Sequence, residues 1–287
     1  MCTRCDLPAS IPSAASGWNP RRAFLLAAAG AASAALARPA LAQVDVGRAS
    51  VARNLVPADQ IEAAGVQQYG QLLEQARAKG ALAGESNPQL QRLRAIAKRL
   101  IPFATPWNSR ARDWKWEVNL IGSKQINAFC MPGGKIAFFT GILEQLKLTD
   151  DEVAMVMGHE MAHALREHAR ARMAKSAGTG AALSIGAQLL GWGQVGDLAA
   201  RAGTQLITLK FSRGDETEAD LVGLELAARA GYDPQASVSL WKKMATASKN
   251  QGGLNFLSTH PSGPDRIAKL EANLPKVEKL YRDARKS

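Results

Sequence analysis

The stretch VMGHEMAHALREHAR, residues 156–170, carries three of the four histidines in the chain. His159 and His163 stand four apart in a segment whose apolar spacing predicts a helix. Four residues turn a helix about 40° beyond one full turn, so both imidazoles share a face. Two neutral imidazoles in that relation hold one zinc ion. Glu160 follows His159 by about 100° of rotation, which sets its carboxylate beside the metal rather than on it. There it serves as a general base for a water that the metal acidifies. Each position of the H-E-x-x-H pattern therefore has its own task. His168 lies about half a turn away from His159 on a straight helix, too far round to reach the same ion. It reads as a solvated or supporting histidine at a basic helix end.

A catalytic zinc takes a third protein ligand and keeps a position open. SRGDETEAD, residues 212–220, offers the carboxylates. Glu216 and Asp220 are four apart on a predicted helix and face the same way. Glu216 is the expected third ligand. Asp220, one turn on, is placed to accept the spare N–H of a ligating histidine and fix its tautomer. Glu218 is expected at the surface. His260 precedes Pro261 in a loop. It either supports the oxyanion of the reaction, occupies the open metal position, or has no role. Arg266 either binds substrate carbonyls, pairs with a carboxylate, or lies on a helix surface.

These residues need elements to hold them. Residues 57–79 read as a helix stopped at Gly80. Asn87 and Pro88 cap and start a second one, with Leu90, Leu93, Ile96 and Leu100 as its apolar stripe. The period then changes. Residues 114–121 alternate like a half-buried strand. Residues 125–131 and 135–140 read as a strand pair around Pro132-Gly133-Gly134. Thr149 and Glu152 have capping-box spacing at the head of the H-E-x-x-H helix, which the pattern carries to about Ala174. The Gly-rich apolar segment 176–196 suits a core helix, a flap or a membrane-touching segment. A further helix starts near Ser212, and the chain closes on a basic helix. The expected fold is α+β: a helix-rich, zincin-like domain with a small β-sheet beside the H-E-x-x-H helix. The strand around Asn127 can hold a substrate peptide as an added strand, with Asn127 contacting it. Cys130 reads as a small apolar strand residue.

HEMAH followed some fifty residues later by ETEAD resembles the gluzincin metallopeptidases that include the prenyl-protein (CAAX) endopeptidases. NAFCMPGGKIAFFTGIL and STHPSGPDRI also resemble stretches of that family. The likeness spans roughly Gln125 to Leu270. It is nearest to the soluble periplasmic branch typified by the beta-barrel assembly-enhancing proteases, without their helical-repeat domain. The resemblance implies one Zn2+ held by His159, His163 and Glu216, with Glu160 as base and His260 in a site role. It implies an endopeptidase acting on misfolded or misassembled envelope proteins. A largely latent, chaperone-like zinc protein is the alternative.

The remaining features bear on place and partners. The 287 residues are 46% apolar and 21% charged, the composition of a folded chain. The formal charge is +11, but Lys and Arg are spread over helical segments rather than interleaved with aromatics. No nucleic-acid partner is expected. Unfolded or misassembled proteins are the expected partners, with peripheral membrane contact through the Gly-rich segment. Arg21 and Arg22, the apolar run 23–37 and Ala40-Leu41-Ala42 form the parts of an export signal, and the paired arginines resemble the twin-arginine type. The expected domains are therefore a signal peptide, 1–42, and a peptidase domain, 43–287, in the periplasm. Cys130 is the one cysteine beyond that signal, so no internal disulfide is expected.

Overall fold

The computed structural model describes residues 44–177, 206, 209–250, 255–261, 263 and 265–286. The signal segment and nearly all of the Gly-rich segment lie outside the described residues.

A three-stranded sheet forms the middle layer. β1 (Glu117–Ile121) runs parallel to β3 (Lys135–Phe139), which pairs antiparallel with β2 (Ala128–Met131), in the order β1-β3-β2. Side chains alternate between two apolar clusters. Ile121, Phe129, Met131, Ala137 and Phe139 pack with Tyr69 and Leu73 of α1 (Ala58–Ala78). Val118, Leu120, Ala128, Cys130, Ile136 and Phe138 face the main core, with Leu90, Leu93 and Ile96 of α2 (Pro88–Leu100). The first strand is therefore shorter than the alternation suggested. It is buried on both faces rather than one, because a helix covers each side. The turn between β2 and β3 needs its glycines. Gly134 has φ +78°, and a Cβ there would lie 2.8 Å from the Trp116 ring.

After a short α3 (Thr140–Leu146), α4 (Asp150–Leu165) carries the H-E-x-x-H residues. Every residue from Glu152 to Leu165 is buried, on all sides of the helix. A helix of that kind must be the central one. The Thr149 Oγ accepts from the Glu152 N–H at 3.3 Å, and Glu152 Oε2 accepts from the Thr149 N–H at 2.9 Å. Contrary to the sequence expectation, the helix does not continue to Ala174. It ends at Arg166, Glu167 takes φ +57°, and α5 (His168–Ala177) starts on a new axis.

α6 (Arg213–Arg229) crosses α4, capped by a reciprocal Ser212–Asp215 box. The crossing point is two glycines. A Cβ on Gly158 would stand 2.8 Å from the Gly223 carbonyl oxygen, and one on Gly223 would stand 2.6 Å from the His159 nitrogen. Only glycines let the two backbones come this close. α7 (Ala236–Asn250), α8 (Asn255–Thr259) and α9 (Arg266–Ala284) complete the helical layer. Among the described residues no helix is long and apolar enough to cross a membrane.

Glu152 also ties α4 to α7. Its carboxylate accepts from Ser239 Oγ at 2.7 Å and from Lys243 Nζ at 2.6 Å. Burial pushes its carboxyl up, but Lys243, the Thr149 N–H and Ser239 outweigh that and hold it below the ordinary value. A carboxylate depressed by folding contributes stability above its unfolded pKa and loses it as the pH falls through the folded one. Glu152→Gln is therefore expected to cost about 1–3 kcal/mol near pH 7. Its melting temperature should converge on that of the parent as the pH falls below about 4. A gap of constant size across thermal melts from pH 7 to pH 3 would contradict this origin.

Candidate metal centre

Two helices and one loop converge on a buried point. α4 presents His159 and His163, α6 presents Glu216, and the loop after α8 presents His260. All four are buried, and their ligand atoms lie within 4.8 Å of one another. His159 Nε2 stands 3.2 Å from His163 Nε2, 3.5 Å from Glu216 Oε2 and 3.3 Å from His260 Nδ1. Glu216 Oε1 stands 3.4 Å from His163 Nε2 and 3.1 Å from His260 Nδ1. Bonds of about 2.0–2.1 Å in a tetrahedron give ligand-to-ligand edges of about 3.3 Å. The spacing and the donor set, imidazole nitrogens with a carboxylate, are those of a zinc site.

The rear of the site is anchored. His159 Nδ1 lies 3.0 Å from Asp220 Oδ1, which turns its Nε2 toward the cluster. Arg266 is buried, donates from its Nη2 to Asp220 Oδ1 at 2.8 Å and to Glu216 Oε2 at 3.1 Å, and lies 3.3 Å above the Trp241 ring. Of the three roles open to Arg266 in the sequence, its surroundings match pairing with carboxylates. It sits behind Glu216 and Asp220.

The electrostatics follow from those contacts. Burial opposes a charged His159 ring, but Asp220 and Glu216 outweigh it and lift the ring to about 9. Burial holds His163 well below the ordinary imidazole value, against the pull of Glu216. The Glu216 carboxyl is pushed up by burial, yet hydrogen bonds from His159, His163 and His260 take it far below the usual carboxylate range. The Glu216 carboxylate is thus held ionised among the imidazoles.

Glu160 is the exception. Burial raises its carboxyl, against the nearby His260 and His159 rings. Its Oε1 is buried without a hydrogen-bond partner, and the nearest cationic candidate, His260 Nε2, is 3.5 Å away. It opens on a cleft that is also lined by His163, Phe211, His260 and the β2 residues. β2 is a sheet edge along this cleft. The Phe139 N–H donates to the Asn127 carbonyl, so the antiparallel alternation turns the Ala128 and Cys130 backbone groups away from β3. Asn127 lines the cleft, and its Oδ1 accepts from the Ala128 N–H at 3.0 Å. That side chain already satisfies one donor on this edge, which no other described strand covers.

Two residues set aside in the sequence belong here. His168 is buried, with Nδ1 2.9 Å from His163 Nδ1, and is not solvated. Glu218 is only partly exposed and pairs with His168 and Arg166 instead of standing free at the surface. The aromatic walls of the site carry no periodic signal in the sequence. Phe211 stacks on His163 at 3.9 Å between ring centres, and Phe256 stacks on His260 at 4.4 Å. Phe211 directly precedes the Ser212 cap, the only sequence signal that placed it near the metal helix.

Residues 87–274 match the model of "Peptidase family M48". The chain is 37% identical over 185 residues to "Mitochondrial metalloendopeptidase OMA1" of Schizosaccharomyces pombe, covering 64% of this chain and 52% of that protein. It is 29% identical over 174 residues to "Metalloprotease LoiP" of Escherichia coli, covering 59% and 67%. It is 31% identical over 161 residues to the "Beta-barrel assembly-enhancing protease" of Yersinia pestis, covering 52% and 32%. The match thus spans about half the length of the first of these relatives and a third of the last.

Proposed function

The chain belongs to peptidase family M48, and on that premise we propose that it is a zinc-dependent endopeptidase that cleaves misfolded or misassembled proteins of the cell envelope. The observation that carries the reading is Glu160 Oε1, a buried carboxylate oxygen without a hydrogen-bond partner beside four convergent metal donors. Mere metal storage has no use for such a group.

In this reading His159, His163 and Glu216 hold the ion. Bound zinc supplies Lewis-acid polarisation of the scissile carbonyl and lowers the pKa of the attacking water. Glu160 takes the proton of that water on Oε1 and later hands a proton to the leaving amine. Its raised pKa suits both halves of the shuttle, since a base that is too weakly basic cannot take the proton. Arg266 and Asp220 keep Glu216 and His159 in place. The outward-facing backbone groups of β2 would hold a substrate main chain without demanding a sequence, which suits unfolded proteins of many kinds. Asn127 stands where it would meet that main chain.

Export to the periplasm belongs to the same proposal. Its support is the Arg21-Arg22 leader and the likeness to the envelope branch, while other relatives are named as mitochondrial. The narrower tie to the prenyl-protein branch rests on the HEMAH and ETEAD resemblance alone.

A specific observation favours a second reading as well. His260 Nδ1 stands in the fourth corner of the cluster, where an incoming carbonyl oxygen would have to bind. From there it cannot donate to that oxygen. It would cap a bound ion and hold the protein latent, and oxyanion support by His260 would require the ring to leave that position. One comparison tests both readings: cleavage of a reduced, alkylated protein and of its native disulfide-bonded form, by the parent chain and by His260→Ala. The endopeptidase reading expects the unfolded form to be cut at least about tenfold faster, in line with strand addition to an open edge. Equal rates on both forms would contradict the substrate class. A faster His260→Ala would establish the cap. A loss of about 10²–10³-fold would assign His260 to the oxyanion.

A further inference from the structure

We propose that His168 is a positioning residue for the metal ligand His163, forming with Glu218 a carboxylate–imidazole–imidazole chain that fixes which nitrogen of His163 faces the ion. The proposal rests on the reading that His163 is a zinc ligand.

The break in the helix makes the chain possible. On a straight helix His168 would point about half a turn away from His159. The left-handed Glu167 starts α5 on a new axis and brings His168 back against His163. The two rings lie 5.0 Å apart at 73°, with their Nδ1 atoms 2.9 Å apart. Two nitrogens at that distance share one proton, and its position decides the function of His163. A proton on His163 Nδ1 leaves the Nε2 lone pair facing His159 and Glu216. A proton on His168 Nδ1 would turn His163 into the other tautomer, with its Nε2–H aimed into the cluster where the ion must bind.

Glu218 makes the choice. Its Oε2 lies 3.3 Å from His168 Nε2, and a carboxylate oxygen there demands a donor. His168 therefore keeps its proton on Nε2 and presents the Nδ1 lone pair to His163. Arg166, itself buried, holds the same carboxylate oxygen, with Nε at 2.8 Å and Nη2 at 2.7 Å. The other ligand histidine is served by the same logic one link shorter. His159 Nδ1 meets Asp220 directly, and Arg266 holds Asp220. Each rear nitrogen thus ends at an arginine-anchored carboxylate. His168 is the extra imidazole that spans the longer gap from α6 to His163.

The test compares zinc affinity, by competition with a chromogenic chelator, and the visible absorption of the Co2+-substituted protein. The proteins are the full parent chain, His168→Ala, His168→Asn and His168→Gln. Asn can present its amide oxygen where His168 Nδ1 lies, whereas Gln carries its amide at the position of Nε2. The proposal expects His168→Ala and His168→Gln to bind zinc about 10–100-fold more weakly, the usual effect of removing a partner behind a ligand. His168→Asn should recover most of that loss and restore the parent Co2+ spectrum. Parent-like zinc affinity in His168→Ala or in His168→Gln would overturn the proposal. So would equal losses in Asn and Gln, which would mark a packing role. A parent chain that binds no zinc would overturn the zinc-site reading itself, and that outcome is read before any variant is made.

Discussion

Glu160→Gln is expected to keep one zinc per chain and to lose cleavage by about 10²–10⁴-fold, the range for removing a general base. Glutamine preserves the size and one oxygen of the side chain but cannot accept the water proton. The ligands are untouched, so metal content should not change. Stability gives the result a second signature. Burial raises the Glu160 carboxyl above its ordinary value. A carboxyl raised by folding destabilises the protein at any pH above its unfolded pKa, because the charged form is then the one being buried. Near pH 7 the metal-free variant should therefore melt at or above the temperature of the metal-free parent. Measured together, zinc content, thermal melts and cleavage separate this outcome from a damaged fold. A zinc-loaded variant that still cleaves at the parent rate would remove Glu160 from the mechanism.

Gly223→Ala should be the most damaging small substitution away from the donor set. The added Cβ would stand 2.6 Å from the His159 nitrogen and 2.8 Å from the Gly158 carbonyl carbon. Both are backbone atoms within helices, so neither can swing aside. α4 and α6 must part, at a cost of about 1–3 kcal/mol or more for an overpacked contact. That corresponds to a fall of roughly 2–12 °C in melting temperature for a chain of this size. The metal site should suffer in proportion, since His159 and His163 ride on α4 and Glu216 on α6. Zinc affinity is expected to drop by more than about tenfold, as when ligand support is lost. Gly214→Ala is the control: its Cβ would meet only Ser212 Oγ, at 3.7 Å. It should leave both quantities near the parent values. A Gly223→Ala chain with parent stability and zinc affinity would show that the close crossing is not what sets the site.

The parts legible in the sequence are those ruled by one rigid local period. Inside α4 the 3.6-residue repeat puts His159 and His163 on one face, and inside α6 it does the same for Glu216 and Asp220. The meeting of the two helices was suggested by chemistry, because a catalytic zinc needs a third ligand, and the Gly158–Gly223 crossing supplies the physical means. The small sheet was legible from its alternation. Its burial on both faces was not, because that depends on α1 and α2 arriving from elsewhere in the chain. Glu218 was misread, and His168 was left between solvent and a supporting place, for one reason. Arg166-Glu167 has no glycine or proline to mark a break, yet Glu167 sits at φ +57° and redirects the chain. Arg266 was ambiguous because its partners Asp220, Glu216 and Trp241 come from two other helices. No local pattern links them. His260 had no period at all to constrain it, and only the fold brings its Nδ1 to the fourth corner.

The most direct test of the central claim is a zinc titration of the metal-free chain, read as the rate of cleavage of a permanently unfolded protein. The account predicts a rate that rises in proportion to added zinc, breaks at one equivalent per chain, and is flat beyond it. Full cleavage by the metal-free chain would contradict it. So would a chain that takes up one equivalent of zinc and, with His260 replaced by Ala as well as with His260 intact, still cuts nothing.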